Sequence, residues 1–210
     1  MGHREAIAAA IASLAPQNIL DFGGGFGTLA RLIAQCLPQA EISICEPYPP
    51  QHGVESCKSY PNIIFEPCLR SQSVDVLVST DVLEHVSDPL SLLAAMVDAV
   101  KPGGHLFLAS CFYPVIACHL PCTFHLRDTF DAFCSELGLD VLGPCEGSHA
   151  TIYHRSRTIE PDWPRLRRLE TSSKRRFAFR QAKYRYLSPL SNISQVLANK
   201  VAKSFSIGRQ

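Results

Sequence analysis

The sequence predicts an α/β domain: a doubly wound, seven-stranded, mostly parallel sheet with an antiparallel last strand. Three observations predict it. Short apolar strands alternate with helical stretches from residue 3 to about residue 140, the pattern of a parallel sheet covered on both faces. The first strand runs into a glycine-rich loop and then a helix, "ILDFGGGFGTLARLIA" (19–34). The last two strand-like segments, "DVLGP" and "HATIYHR", follow one another without a well-spaced helix and read as an antiparallel, hairpin-like pair.

Taken in order, a helix over 3–15 places Ile7, Ile11 and Leu14 on one face. Its alanine-rich start resembles a leader but carries Glu5 and lacks a clear cleavage site, and Ala6 spoils a myristoylation signal at Gly2. Strands follow at 18–23, 41–47, 62–67, 74–80 and 105–110, with helices at 28–37 and about 51–59. Asp88 caps a helix over 89–100, with Pro89 at its first position, and "KPGG" ends it. A helix over 127–139 has Gly138 near its end.

A hydrophobic fraction of 46% supplies a sizeable core, and no run of 18 apolar residues exists to span a membrane. Nine cysteines, an odd count without a secretory signal, read as reduced thiols buried mostly in strands and helices of a cytoplasmic protein. The net charge of +1 hides an asymmetry. Six Lys/Arg stand against sixteen Asp/Glu up to His154, and fourteen against three from Arg155 on. The expected organisation is therefore an acidic domain over 1–156 and a basic, helical extension over 157–210. The extension interleaves Phe177, Phe179, Tyr184 and Tyr186 with its charges, and "ISQVLANKVAKSF" has amphipathic spacing. Helices packed on the acidic domain are the favoured reading; an anion-binding surface is the alternative.

The loop after the first strand is where doubly wound folds bind nucleotides. A dinucleotide fingerprint would space its glycines G-x-G-x-x-G; here Gly23, Gly25 and Gly27 run G-x-G-x-G, two residues after Asp21. That pattern resembles the first motif of class I S-adenosylmethionine-dependent methyltransferases. "STDVLEHVSDP" and the later "KPGG" resemble segments of the type 11 and type 23 members of that class. The resemblance spans about residues 3–155. It implies S-adenosylmethionine as donor and S-adenosylhomocysteine as product. Asp21, Phe22, Gly23, Gly25 and Gly27 would line the methionine end, Glu46 with Pro47 the ribose, Glu66 and Cys68 the adenine, and Thr80 and Asp81 the reactive centre. Families of this kind commonly place "G-D" after the third strand, and this chain departs from that.

An alkyl transfer from a sulfonium needs alignment, and a base if the acceptor is a hydroxyl. His85, His119 and His125 are the candidate bases, with Tyr113 a weaker one. In the resembling ubiquinone-pathway O-methyltransferases the matching acid-x-x-Glu-His segment can bind a divalent metal, which here would be Asp81, Glu84 and His85; no metal is assigned from the sequence. Cys118, His119, Cys122 and His125 crowd one short span too tightly to close a zinc site well. The expected acceptor is a small molecule, sugar, glycan, lipid precursor or secondary metabolite, methylated on oxygen. An RNA or protein methyltransferase guided by the tail, and a non-catalytic cofactor-binding protein, are the alternatives. No N-P-P-Y-like segment follows the fourth strand, which counts against base amines and makes nucleic acid the less favoured partner.

Overall fold

The computed structural model describes residues 2–184. The amphipathic stretch at 193–205 and Tyr186 lie outside the described residues. The chain divides into two compact units after Leu166.

In the first unit, seven strands form one sheet: β1 (Asn18–Phe22), β2 (Glu41–Cys45), β3 (Ile63–Glu66), β4 (Val74–Thr80), β5 (Val100–Ala109), β6 (Leu139–Pro144) and β7 (Thr151–Arg155). Their order is β3-β2-β1-β4-β5-β7-β6. β1 pairs in parallel with β2 and β4, and the chain order reverses there. β7 alone runs antiparallel, to both β5 and β6. The carboxyl ends of the parallel strands and the start of β7 therefore share one edge, with the switch point beside β1 and β4.

Five helices accompany the strands: α1 (His3–Ser13), α2 (Thr28–Cys36), α3 (Gln51–Cys57), α4 (Pro89–Ala99) and α5 (Phe130–Glu136). Side chains alternate across a strand, so each strand feeds two cores. Val76 and Val78 of β4 join Ile42 and Ile44 of β2, Ile7 and Ile11 of α1, and Leu29 and Ile33 of α2 in one buried cluster. Leu77 of β4 and Leu106 of β5 face the other side, where α4 buries Leu90, Leu93 and Met96. Each such aliphatic side chain contributes about 1.5–3 kcal/mol when fully buried. As the sequence predicts, Asp88 caps α4, its Oδ1 accepting from the Ser91 N–H at 3.1 Å.

Four expectations need correction. Leu14 lies past the end of α1 and is 41% exposed, so the helix buries Ile7 and Ile11 without it. The expected helix over 127–139 is a run of 3-10 turns over Pro121–Asp128 followed by the short α5; Thr129 marks the break, its hydroxyl bonded to the His125 carbonyl. β5 begins at Val100, pairs there with Val74, bulges through the "KPGG" turn and re-pairs at His105. Of the nine cysteines, all free, four are buried, and Cys36, Cys68, Cys118 and Cys122 are exposed. Residues 163–184 are helical. Within the second unit Glu170 is bracketed by Arg167 and Lys174, one turn to either side, at 2.9 and 2.7 Å.

Candidate functional site at the carboxyl edge of the sheet

β1 ends in Asp21 and Phe22, and the glycine loop turns the chain into α2. Gly27 is the residue before α2, with φ +66°, and a Cβ there would meet Cys57 Sγ at 2.6 Å and Ile44 Cδ1 at 3.0 Å. It holds α3 against the loop. Gly25, with φ +50°, has no atom of another side chain within 4 Å of such a Cβ. The bare backbone at Gly25 therefore faces open space that a ligand can approach closely. Gly23 is closed off by Val82, 2.4 Å from its would-be Cβ.

Asp21 lies beneath this loop, 2% exposed, its carboxyl 2.7 Å from where a Gly24 Cβ would be. Its Oδ2 is buried and makes no hydrogen bond among the described residues. Burial pushes its pKa up to about 7, against a hydrogen bond from the Ala30 backbone N–H and the distant charge of Arg4, with Glu46 adding a little to the rise. A buried carboxylate oxygen left without a donor costs free energy that a bound cationic group recovers.

Glu46 stands half-buried at the end of β2, its Oε1 accepting from the Tyr48 N–H at 3.1 Å. Pro47 beside it is exposed. Glu66, ending β3, is engaged with Arg70, and Cys68 follows in an exposed turn. Burial pushes the neighbouring Cys45 thiol up to about 11, helped by Cys68, Glu66 and Glu46. Phe22 is half-buried and Phe26 is 58% exposed at the tip of the loop. Thr80 and Asp81 lie at the end of β4; Asp81 has φ +55° and donates its N–H to the Ala109 carbonyl.

The three candidate bases separate. His125 is buried within the 3-10 run, 2% exposed. His85 and His119 come together, ring centroids 4.9 Å apart and nearly perpendicular. The Nδ1 of His85 is 3.1 Å from the Cys118 carbonyl oxygen, and that of His119 is 2.6 Å from the Tyr113 carbonyl oxygen. Glu84 joins them: its ligand atom and theirs all lie within 4.8 Å of one another. Asp81, which the acid-x-x-Glu-His pattern would include, is not in that group. It turns to His149, whose Nε2 is 3.5 Å from Asp81 Oδ1.

His149 is the residue that sequence reasoning missed. It precedes β7, and an antiparallel β7 starts at the edge where the parallel strands end. It stacks on His3 at 3.8 Å between centroids. It also lines a pocket of about 220 Å³ with Ser110, Phe112, Tyr113, Phe130 and Tyr153. Arg127 enters the same pocket with its guanidinium 4.2 Å over the Tyr113 ring. Tyr153 is a poor proton acceptor there: burial, then Cys134 and Asp131, hold its phenol well above the ordinary value, and it donates to Asp131 Oδ1 at 2.7 Å.

Comparison with known proteins agrees with this geometry. A methyltransferase domain family matches residues 3–139. A ubiquinone biosynthesis O-methyltransferase of Acinetobacter baumannii is 32% identical over 107 residues, 46% of this chain and 45% of that one. The same enzyme of Cupriavidus pinatubonensis is 31% identical over 110 residues, 48% and 43%. The match thus spans under half the length of these curated relatives. Among solved structures, the CurJ carbon methyltransferase superposes with a TM-score of 0.59 at 16% identity, over 73% of this chain and 54% of that one. The 1,6-didemethyltoxoflavin-N1-methyltransferase of Burkholderia thailandensis, solved with S-adenosylhomocysteine, gives 0.57 at 12% over 73% and 79%. A strand order that reverses beside β1, a glycine loop with an unsatisfied acid beneath it, and a family match over most of the first unit lead to one assignment: this chain belongs to the class I, S-adenosylmethionine-dependent methyltransferase family, through a type 23 methyltransferase domain.

Proposed function

We propose that this domain methylates an oxygen of a small-molecule acceptor bound in the pocket before His149. The observation that carries the reading is the unsatisfied Oδ2 of Asp21 beneath a loop whose backbone is open at Gly25. That pairing of a buried carboxylate with bare backbone suits the ammonium and carboxylate end of the donor. Glu46, with Pro47 beside it, is the residue to hold the ribose hydroxyls, and Glu66 and Cys68 border the adenine end. S-adenosylmethionine, when bound, supplies a sulfonium methyl with a thioether as leaving group.

The chain's own residues then have three tasks. Phe112, Tyr113 and Phe130 give the acceptor apolar walls that exclude water. Arg127, seated over Tyr113, offers a cation to an acceptor bearing a negative or electron-rich group. His149 accepts the acceptor's hydroxyl proton, and Asp81 faces the imidazolium so formed. In balance, the O–H bond breaks toward His149, the O–C bond forms, and the methyl–sulfur bond breaks with its electron pair left on sulfur. The names of the curated relatives, ubiquinone biosynthesis O-methyltransferases, support an oxygen acceptor.

The test is calorimetric titration of the folded chain with S-adenosylmethionine and S-adenosylhomocysteine, beside Glu46→Ala. Saturable binding that weakens in the variant supports the reading. Absence of binding by folded wild type overturns it. A panel of hydroxylated aromatics, read by mass for a methyl gain, then tests the acceptor class, with His149→Ala expected to lower kcat more than it raises KM.

A further inference from the structure

Two phenylalanines of the second unit have opposite fates. Phe177 is half-buried, on the same side of the helix over 163–184 as the buried Glu170 and Ser173. Phe179, two residues on, lies on the other side and is 73% exposed. At about 100° per residue, Arg168, Ser172, Arg175, Arg176, Phe179 and Lys183 fall within one arc of about 100°. All but the half-buried Ser172 are exposed. The stripe runs about 22 Å along the helix, with Phe179 near its midline.

The stripe carries no compensating charge. From Thr171 to Tyr184 the chain has no Asp or Glu. Glu170 lies on the buried side and engages Arg167 and Lys174, the two cations nearest that side, at 2.9 and 2.7 Å. Arg165, at the head of the stripe, is held by Glu136 at 2.7 and 2.8 Å. Among the described residues no carboxylate pairs with Arg168, Arg175, Arg176 or Lys183; Arg176 donates to Ser172 Oγ at 3.2 Å. A solvated surface helix usually intersperses charges of both signs, because like charges on one face repel. Four uncompensated cations around an exposed phenyl ring instead suit an anionic partner with apolar depth beneath its charges.

We propose that this stripe docks on the surface of an anionic lipid bilayer, with the four cations among the headgroups and the Phe179 ring at the boundary with the acyl chains. Two features favour a bilayer over a nucleic acid. The stripe is narrow and straight, which suits a plane. A helix in a duplex groove meets phosphates on both flanks and needs cations well round its circumference, and here Arg167 and Lys174 are engaged by Glu170. The ring at the centre of the stripe also finds hydrocarbon only beneath a plane of headgroups. No described helix is long and apolar enough to cross a membrane; the geometry is that of a helix lying along one. Attraction of this kind is reversible and is weakened by salt.

The experiment is co-sedimentation of the full, tag-free chain with vesicles of phosphatidylcholine alone and with about one-third phosphatidylserine, in low and in high salt. Expected is binding to the anionic vesicles only, weakened by high salt. Each cation near such a surface contributes about fivefold in affinity, so Arg175→Gln should lose about fivefold and the double variant with Arg176→Gln about 25-fold. Phe179→Ser should lose about tenfold, and Phe179→Trp should keep its affinity. Lys58→Gln, which removes an exposed cation from α3, should bind as wild type does. Circular dichroism confirms that each variant folds. Equal binding to both kinds of vesicle, or failure of folded wild type to bind the anionic ones, overturns the proposal. So does wild-type affinity in the double variant or in Phe179→Ser, or a loss in Lys58→Gln as large as that in Arg175→Gln. Binding of an RNA duplex through the same stripe, with none of the vesicles, overturns it in favour of nucleic acid. None of these readouts needs the methyl donor or an acceptor, so failure here is distinct from failure of the proposed reaction.

Discussion

Asp21 and Asp75 sit on adjacent strands, β1 and β4, toward opposite edges of the sheet. Asp75 is saturated. Its Oδ2 accepts from the backbone N–H groups of Gln17 and Asn18 at 3.0 and 2.8 Å, and its Oδ1 takes Lys101 Nζ at 2.7 Å. Burial acts to raise its pKa, but the Lys101 and Asn18 hydrogen bonds prevail and hold it below the ordinary carboxylate value. Asp21 has one backbone donor and an orphaned oxygen, and its pKa moves the other way. A larger hollow, about 450 Å³, lies beside Asp75, against about 220 Å³ at the pocket of His149. Volume alone would choose the edge away from the glycine loop. Unsatisfied polar atoms separate a site from a seam: the seam has used its hydrogen bonds on itself, and the site has kept one back.

The sharpest way to break this comparison is the pair Asp21→Asn and Asp75→Asn. The first should weaken S-adenosylmethionine binding about 100-fold, since a hydrogen bond to a charged group is worth about 1.5–3 kcal/mol. The second should leave affinity nearly intact in the folded chain while costing about 1–2 kcal/mol of stability by urea denaturation. Equal effects of the two on affinity would end the distinction. Next in size, Glu46→Ala should cost about 10–100-fold in donor affinity, or about 1.4–2.8 kcal/mol.

The two acids also predict opposite pH dependences for the ligand-free chain. The folded pKa of Asp21 is raised, so its contribution to stability is whole below the ordinary carboxylate value and is lost as pH rises through about 7. Asp75 is depressed, so its contribution is present above the ordinary value and is lost as pH falls. Asp21→Asn should therefore raise Tm more at pH 8 than at pH 5, and Asp75→Asn should lower it more at pH 8 than at pH 3. Donor binding at pH 6 should release protons as Asp21 ionises beside an ammonium, which calorimetry in two buffers of different ionisation enthalpy measures. The smallest effect contrasts two glycines: Gly25→Ala bears only backbone strain, about 1 kcal/mol, whereas Gly27→Ala also drives a Cβ against Cys57 Sγ and should cost more in urea.

Much of this was legible in the chain, for local reasons. The glycine loop, Asp21 and Glu46 are read from spacing because strand, loop and helix are contiguous. Asp88 and Pro89 announce α4 through capping chemistry that needs no distant partner. The segment 111–128 was less legible: its 3-10 run is set by contacts with the turn after β4, and α5 is correspondingly shorter than its apolar spacing suggested. His149 was hidden because only the direction of β7 brings it to Asp81. The meeting of His119 with Glu84 depends on hydrogen bonds across some thirty residues of chain, from Cys111 and Leu120 back to Glu84, that no periodicity encodes.

The stacking of His3 on His149 carries a practical consequence for handling the protein. The His149 N–H also lies 3.3 Å from His3 Nδ1, so the first turn of α1 is moored at the rim of the proposed acceptor pocket. Anything joined ahead of that helix emerges at the doorway: a leader, an affinity tag, or a fused reporter. An amino-terminal polyhistidine tag would bring both steric bulk and extra imidazoles to the rim of that proposed pocket. Assays on this domain are better run with the tag on another part of the chain, and a fused peptide at that end is a route to choosing which acceptors get in.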